Sequence, residues 1–244
     1  MGLIRGCEIK PSDNGFIAGD LFQHILAFSS ITPITFSFRL RKNVAVNEVK
    51  KGVFIVIEGI DGAGSTTQTK LLVDWLKRKG IDAIATKEPT NGAIGQLIRK
   101  YLNNPLSSAV IDALLFAADR VEHVDNLIKP LIEQGKVVVS DRYVESSIAY
   151  QSCSGVDESW LMTINKFAIQ PDLTVILDVD PFTALKRKGV LREKFEVEEF
   201  LSKVREKFLH RAKLMGYVVI DAGQTIEEVQ AEIRTHVAKL LGIS

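Results

Sequence analysis

Residues 53–70 read VFIVIEGIDGAGSTTQTK, and no other stretch restricts the possible fold so tightly. A short, mostly β-branched apolar run that ends in glycines is a strand buried on both faces. The residues after the glycines place Leu71, Leu72, Trp75 and Leu76 on one helical face, and that helix stops at Gly80. Strand, glycine loop and helix in this order aim loop N–H groups and a helix amino end at one point, which suits an anion. The phosphate-loop pattern G-x-x-x-x-G-K-[ST] is met at Gly59, Gly64 and Thr66, but Ser65 stands where the pattern has lysine.

Gly59, Ile60, Asp61, Gly62, Ala63, Gly64, Ser65, Thr66 and Thr67 are therefore the candidate ATP- and phosphate-binding residues. Thr66 occupies the position whose hydroxyl binds Mg²⁺ in such loops. Further strands are expected at DAIAT (82–86), KVVVS (136–140), LTVILDV (173–179) and YVVID (217–221). Helical patterns fall at 93–102, across a long stretch at 107–134, and after residue 181. Five short strands alternating with helices define an α/β fold, a mostly parallel sheet with helices on both faces. Ligands in such sheets bind at the carboxyl ends of the strands. The glycine loop, KEPT and DRY all fall there.

Residues 51–244 carry this alternation, whereas residues 1–50 lack it and hold no chemical motif, so they read as an N-terminal extension that is disordered or dispensable. The formal charge of +1 leaves no global field to attract nucleic acid. Cys7 and Cys153 lie far apart and outside any C-x-x-C spacing, which argues against a disulfide framework or zinc site. The four histidines form no cluster, and His123 and His210 receive no role. No apolar run reaches the roughly 20 residues that span a bilayer. Residues 21–38 come nearest, but Gln23, His24, Ser29, Ser30, Thr32 and Pro33 interrupt them. A cytoplasmic chain with no membrane partner is the expectation.

Five motifs in order, EGIDGAGSTTQ, KEPTNGAIGQLI, LLFAADR, DRYVESSIAYQ and LKRKGVLREKFE, make residues 52–242 resemble the thymidylate kinases. The resemblance implies the P-loop kinase fold with a short lid, ATP as phosphoryl donor, dTMP as acceptor, Mg²⁺ as cofactor and a homodimer, to which the apolar stretch 109–118 would contribute. Phe116 and Arg120 stand at i and i+4 on one helix face. By resemblance the ring stacks on thymine and the guanidinium donates to its exocyclic oxygen. Ser147 and Gln151 match positions on the base edge, and Tyr150 matches a tyrosine set against the sugar's 2′ carbon. Arg142 matches the residue that holds the dTMP phosphate, Asp141 an acid near phosphates and metal, and Asp61 an acid at the 3′-hydroxyl and metal region. Glu88 matches an acid lining the acceptor pocket, and Lys87 stands where bacterial members commonly have arginine.

The basic residues Arg187, Lys188, Arg192 and Lys194 fall at the place of the family's lid. A transition-state cation is worth about 10³ to 10⁵ in rate in phosphoryl transfer, so Ser65 is a serious departure. Arg192 or Arg187 is expected to bring the missing charge on lid closure, completing a catalytic set with Asp61 and Arg142. Two alternatives stay open: a nucleotide-binding homologue with impaired transfer, and a kinase for another nucleoside monophosphate. A chain beginning at Val46 is expected to stay soluble and active; loss of soluble expression in that truncation would contradict the dispensable extension.

Overall fold

The computed structural model describes residues 51–102, 104, 107–189 and 195–243. The expected extension at 1–50, Arg192 and Lys194 lie outside the described residues. The strands are β1 Val53–Gly59, β2 Ala83–Lys87, β3 Val137–Asp141, β4 Leu173–Asp178 and β5 Val218–Asp221, each within two residues of its sequence reading. They pair in the order β2-β3-β1-β4-β5, and all four pairings are parallel.

The helices are α1 Ser65–Arg78, α2 Ala93–Leu102, α3 Ala109–His123, α4 Lys129–Glu133, α5 Val144–Cys153, α6 Glu158–Ile164, α7 Pro181–Arg187, α8 Phe195–Met215 and α9 Ile226–Leu241. The long helical stretch expected over 107–134 runs unbroken over 109–133, with a π-helical turn at Val124–Ile128 joining α3 to α4. Pro130, in the first turn of α4, is the physical reason for the π-helical geometry. Its ring clashes with the carbonyl four residues back and it offers no N–H, so the regular α-helical pattern gives way before it.

Strand β1 feeds both faces of the core. Ile55 and Ile57 pack with Leu72, Leu76, Val175, Phe208 and Ile233, whereas Phe54 and Val56 pack with Val124, Ile128, Val138 and Tyr143. This division follows from the period of two along a strand. From β1 the chain winds outward to β2 and β3 on one side and to β4 and β5 on the other, so the end of β1 is the topological switch point. The glycine loop sits at that point.

Helix α8 is tied to α5 by a buried pair. Arg211 donates from Nε and Nη2 to the Glu145 carboxylate at 2.8 Å each, and the Tyr217 hydroxyl donates to the same group at 2.9 Å. A two-pronged guanidinium contact holds orientation as well as distance. It fixes the helix that follows the basic segment. Among the described residues, no helix is long and apolar enough to cross a membrane.

Candidate active site

The glycine loop folds against α7 as closely as a backbone permits. Gly62 has φ 90°, and a Cβ there would lie 2.3 Å from the Ala184 carbonyl oxygen. Only glycine provides both the conformation and the space. Gly64, at φ 98°, precedes α1, whose amino end carries no side-chain cap and no acidic residue in its first turn. Its leading N–H groups are therefore free for an anionic ligand, and the helix dipole adds to their pull. They face a cavity of about 550 Å³ lined by residues 61–68, Arg142, Arg187 and Lys188, with Ala222, Ile226 and Val229 as an apolar wall.

Asp61 is the loop's anchor. Its Oδ1 accepts from Arg142 Nη2 at 2.7 Å, its Oδ2 from Lys188 Nζ at 2.8 Å, and its backbone N–H donates to the Tyr150 hydroxyl at 2.9 Å. Burial acts to raise its pKa, but the charges of Arg142 and Lys188 outweigh that and hold the carboxyl below its ordinary value. Arg142 is pushed the other way. Burial would weaken its charge, but Tyr150, Asp61, Glu58 and Asp141 together raise its pKa above the ordinary arginine value.

Arg142 also has left-handed backbone, φ 72°, the only non-glycine residue with positive φ among those described. A side-chain-bearing residue held there is strained by about 1 to 2 kcal/mol. Glu58 stabilises the turn that holds it. Its Oε1 accepts from the N–H groups of Tyr143 at 2.8 Å and Ser146 at 3.2 Å, while Oε2 accepts from the Ser146 hydroxyl. Ser146 Oγ in turn accepts from Arg142 Nη1 at 3.0 Å. Glu58 is fully buried, and desolvation raises its pKa to about 7 in spite of these hydrogen bonds.

A second cavity of about 220 Å³ lies beside the first, lined by Asp61, Glu88, Phe116, Arg120, Arg142, Ser147, Tyr150 and Gln151 among others. These are the acceptor-site residues expected from sequence. Arg120, 1% exposed, donates through Nε to Glu88 at 2.9 Å, through Nη1 to Asn165, and through Nη2 to the Tyr143 carbonyl and Ser147 Oγ at 3.0 Å each. Four of the five N–H groups of a guanidinium are thus engaged by protein. The pocket wall is set by this network. Glu88 also takes His123 Nδ1 at 3.0 Å, and His123 Nε2 lies 2.7 Å from Thr86 Oγ1. Gln151 is 7% exposed, and its buried Oε1 has no hydrogen-bond partner among the described residues.

Thr66 Oγ1 donates to Asp141 Oδ2, while the buried Oδ1 of Asp141 has no partner among the described residues. A hydroxyl beside an unmatched carboxylate oxygen, next to a phosphate cradle, fits Mg²⁺, which takes one or two protein oxygens and completes its shell with phosphates and water. Lys87 is the β3 register partner of Asp141 and lines a third cavity, about 620 Å³, that continues past Thr66 and Asp141 toward Lys70 and Asn126.

Tyr150 lines the second cavity, and its hydroxyl binds Asp61 of the loop. Arg187 lines the first cavity, and Lys188 rather than Arg187 forms the ion pair there. Sequence reading gave no role to Glu58, Ser146, Asn165 or His123. A signal for Glu58 was present: a carboxylate at the end of the run VFIVI must be buried, and a buried charge needs dedicated donors.

A parallel sheet whose switch-point strand feeds an uncapped glycine loop, with two adjoining cavities at that loop, defines a P-loop nucleotide-binding domain. The family model described as thymidylate kinase matches residues 57–233. Among similar proteins, a probable thymidylate kinase of Thermococcus gammatolerans is 45% identical over 195 residues, covering 75% of this chain and 94% of that one. One of Pyrobaculum aerophilum is 47% identical over 184 residues, covering 74% and 93%, and one of Pyrococcus horikoshii is 42% identical over 207, covering 79% and 100%. The chain belongs to the thymidylate kinase family.

Glu58 generates a pH prediction. Its folded pKa of about 7 lies above the ordinary 4.5, so the proton it holds stabilises the fold fully below about pH 4.5, and that stability is lost as pH rises through about 7. Glu58→Gln keeps the neutral form at every pH. Relative to wild type, the variant is expected to gain on the order of 3 kcal/mol between about pH 5 and pH 8 in denaturant unfolding. Parallel pH profiles for the two proteins would contradict it.

Proposed function

We propose that this chain transfers the γ-phosphoryl group of ATP to the phosphate of dTMP, giving ADP and dTDP. The observation that carries the reading is that Asp61 and Arg142 line both cavities. A donor bound at the glycine loop and an acceptor bound beside Phe116 would bring their phosphates to the same two side chains. A P–O bond to an oxygen of the acceptor phosphate forms as the bond between Pγ and the bridging β,γ oxygen breaks, and the electron pair of the broken bond stays on ADP. Such transfer depends on positioning and on stabilising charge spread over phosphoryl oxygens.

The chain's residues divide this work. The α1 amino end and the loop N–H groups hold donor phosphates, while Ala222, Ile226 and Val229 give an apolar face for adenine. Arg142, kept charged by its surroundings, presents a two-pronged donor to the acceptor phosphate. Phe116 offers a ring face to thymine, and Gln151 Oε1 and the remaining Nη1 hydrogen of Arg120 are polar groups in reach of a base edge. Thr66 and Asp141 would hold Mg²⁺, which when bound neutralises charge on the β- and γ-phosphates.

Self-association as a homodimer is part of the same proposal. Leu97 of α2 and Val110, Ile111 and Leu114 of α3 are 40–48% exposed, and these two helices pack together. Exposed apolar side chains gathered on one face favour a protein contact. Light scattering on the purified protein is expected to give twice the chain mass, and a monomer mass at micromolar concentration would contradict this part.

The reaction itself is tested by following dTDP formation from ATP, Mg²⁺ and dTMP, with dUMP, dCMP and AMP as competing acceptors. The kcat/KM for dTMP is expected to be at least about tenfold above each of the others, since a site built to bind a given base edge rejects one that leaves its polar groups unpaired. A higher value for another acceptor would reassign the substrate, and no turnover with any of them would overturn the kinase reading.

A further inference from the structure

We propose that Lys188 supplies to the donor phosphates the positive charge that the glycine loop lacks at Ser65, a step that rests on the phosphotransferase reading above. Ser65 is buried in the loop and brings no charge to the donor cavity. Of the basic side chains that line this cavity, Lys188 and Arg142 are the two ion-paired to the loop, and they pair with opposite oxygens of Asp61. Arg142 is committed toward the acceptor cavity as well, bonded to Ser146 and lying over the Tyr150 ring at 5.5 Å. Among the described residues Lys188 is then the ion-paired cation on the donor side.

Its position is set by the backbone. Ala184 is wholly buried, and its carbonyl lies so near Gly62 that a Cβ there would approach to 2.3 Å. Residues four apart on a helix share a face. Lys188, at the carboxyl end of α7, therefore lies one turn beyond the point where α7 meets the loop, and Nζ reaches Asp61. The amino acid that the loop lost has a counterpart on the neighbouring helix.

The pair is also suited to exchange. The Lys188 and Asp61 side chains are both 46% exposed. Half-exposed ion pairs contribute little, so an ammonium can leave a carboxylate for a phosphate oxygen at small cost. Asp61 then serves as the rest position that holds Nζ at the mouth of the donor cavity. An ammonium binds phosphate as a compact point charge and needs no fixed plane, which tolerates arrival from a different element than the usual loop.

Among the described residues two other cations compete for the role, and Arg192, also expected from sequence, lies outside them. Arg187 lines the same cavity, and Lys70, one turn after Thr66 on α1, lines the cavity on the far side of Asp141. The test compares wild type, Lys188→Ala, Lys188→Arg, Arg187→Ala, Lys70→Ala, Ser65→Lys and the double change Ser65→Lys with Lys188→Ala, each assayed for dTDP formation under saturating ATP and dTMP. Wild-type turnover decides the kinase reading by itself.

Given turnover, Lys188→Ala is expected to lower kcat by about 100-fold or more, the scale of losing one charge-stabilising donor, while the KM for dTMP changes less than about threefold. Lys188→Arg is expected to retain more activity than Lys188→Ala, and Ser65→Lys in the Lys188→Ala background to restore at least about tenfold. Because Lys188 is half exposed, a melting curve unchanged from wild type should accompany the loss. A kcat within about threefold of wild type for Lys188→Ala, a larger loss for Arg187→Ala or Lys70→Ala, or no rescue by Ser65→Lys would each overturn the assignment and leave the kinase reading standing. No turnover by wild type would overturn both.

Discussion

The carboxylate of Asp61 is the contact on which the rest of the site depends. One oxygen holds the arginine of the β3 turn, the other holds the lysine at the end of α7, and the backbone N–H of the same residue is fixed by a tyrosine from α5. The segment from the β3 turn into α5 and the end of α7, both distant in sequence, therefore meet at one residue of the glycine loop. Two cations against one carboxylate keep it ionised, and a net positive charge remains for phosphates. In this chain that arrangement matters more than usual, because the loop has no lysine of its own.

Behind Asp61 lies a second layer that acts on conformation. Arg142 sits in a left-handed backbone region that disfavours side chains, at a point where the chain leaves β3 and turns into α5. Glu58, at the end of the neighbouring strand β1, accepts the two N–H groups that this turn exposes. The strain is thus offset by hydrogen bonds from a group buried for that purpose. The cost is a carboxyl whose pKa lies near neutrality, so the geometry of Arg142 is linked to pH through a residue that lines neither of the two cavities. The Arg120, Glu88 and His123 network does the corresponding work for the wall of the second cavity.

Much of this was legible in the sequence, for reasons that differ by element. The five strands were visible because parallel strands buried on both faces are continuous apolar runs, and VFIVI, KVVVS and LTVILDV are unambiguous in that respect. Phe116, Arg120, Ser147, Tyr150 and Gln151 were singled out by motif resemblance, and the structure gathers them at one cavity. Less legible were contacts made across the fold. The π-helical turn at Val124–Ile128 was hidden because apolar periodicity persists through it, although Pro130 marked the place. Lys188 was one basic residue in a run of them, and nothing in spacing alone separates it from Arg187. Its selection requires knowing that Ala184 touches Gly62, a contact of backbone with backbone across 122 positions that no side-chain pattern encodes.

The central claim is that a lysine from α7 and an arginine from the β3 turn, both held by Asp61, supply the charge for phosphoryl transfer at a loop that lacks it. A crystal structure of the protein with dTMP, Mg²⁺ and a non-hydrolysable ATP analogue tests this directly, read at the Lys188 ammonium. The account predicts Nζ within hydrogen-bond distance, about 3 Å, of an oxygen of the donor phosphates, with Arg142 on the acceptor phosphate. Nζ still on Asp61 and remote from the donor, with another cation in contact with its phosphates, would contradict it.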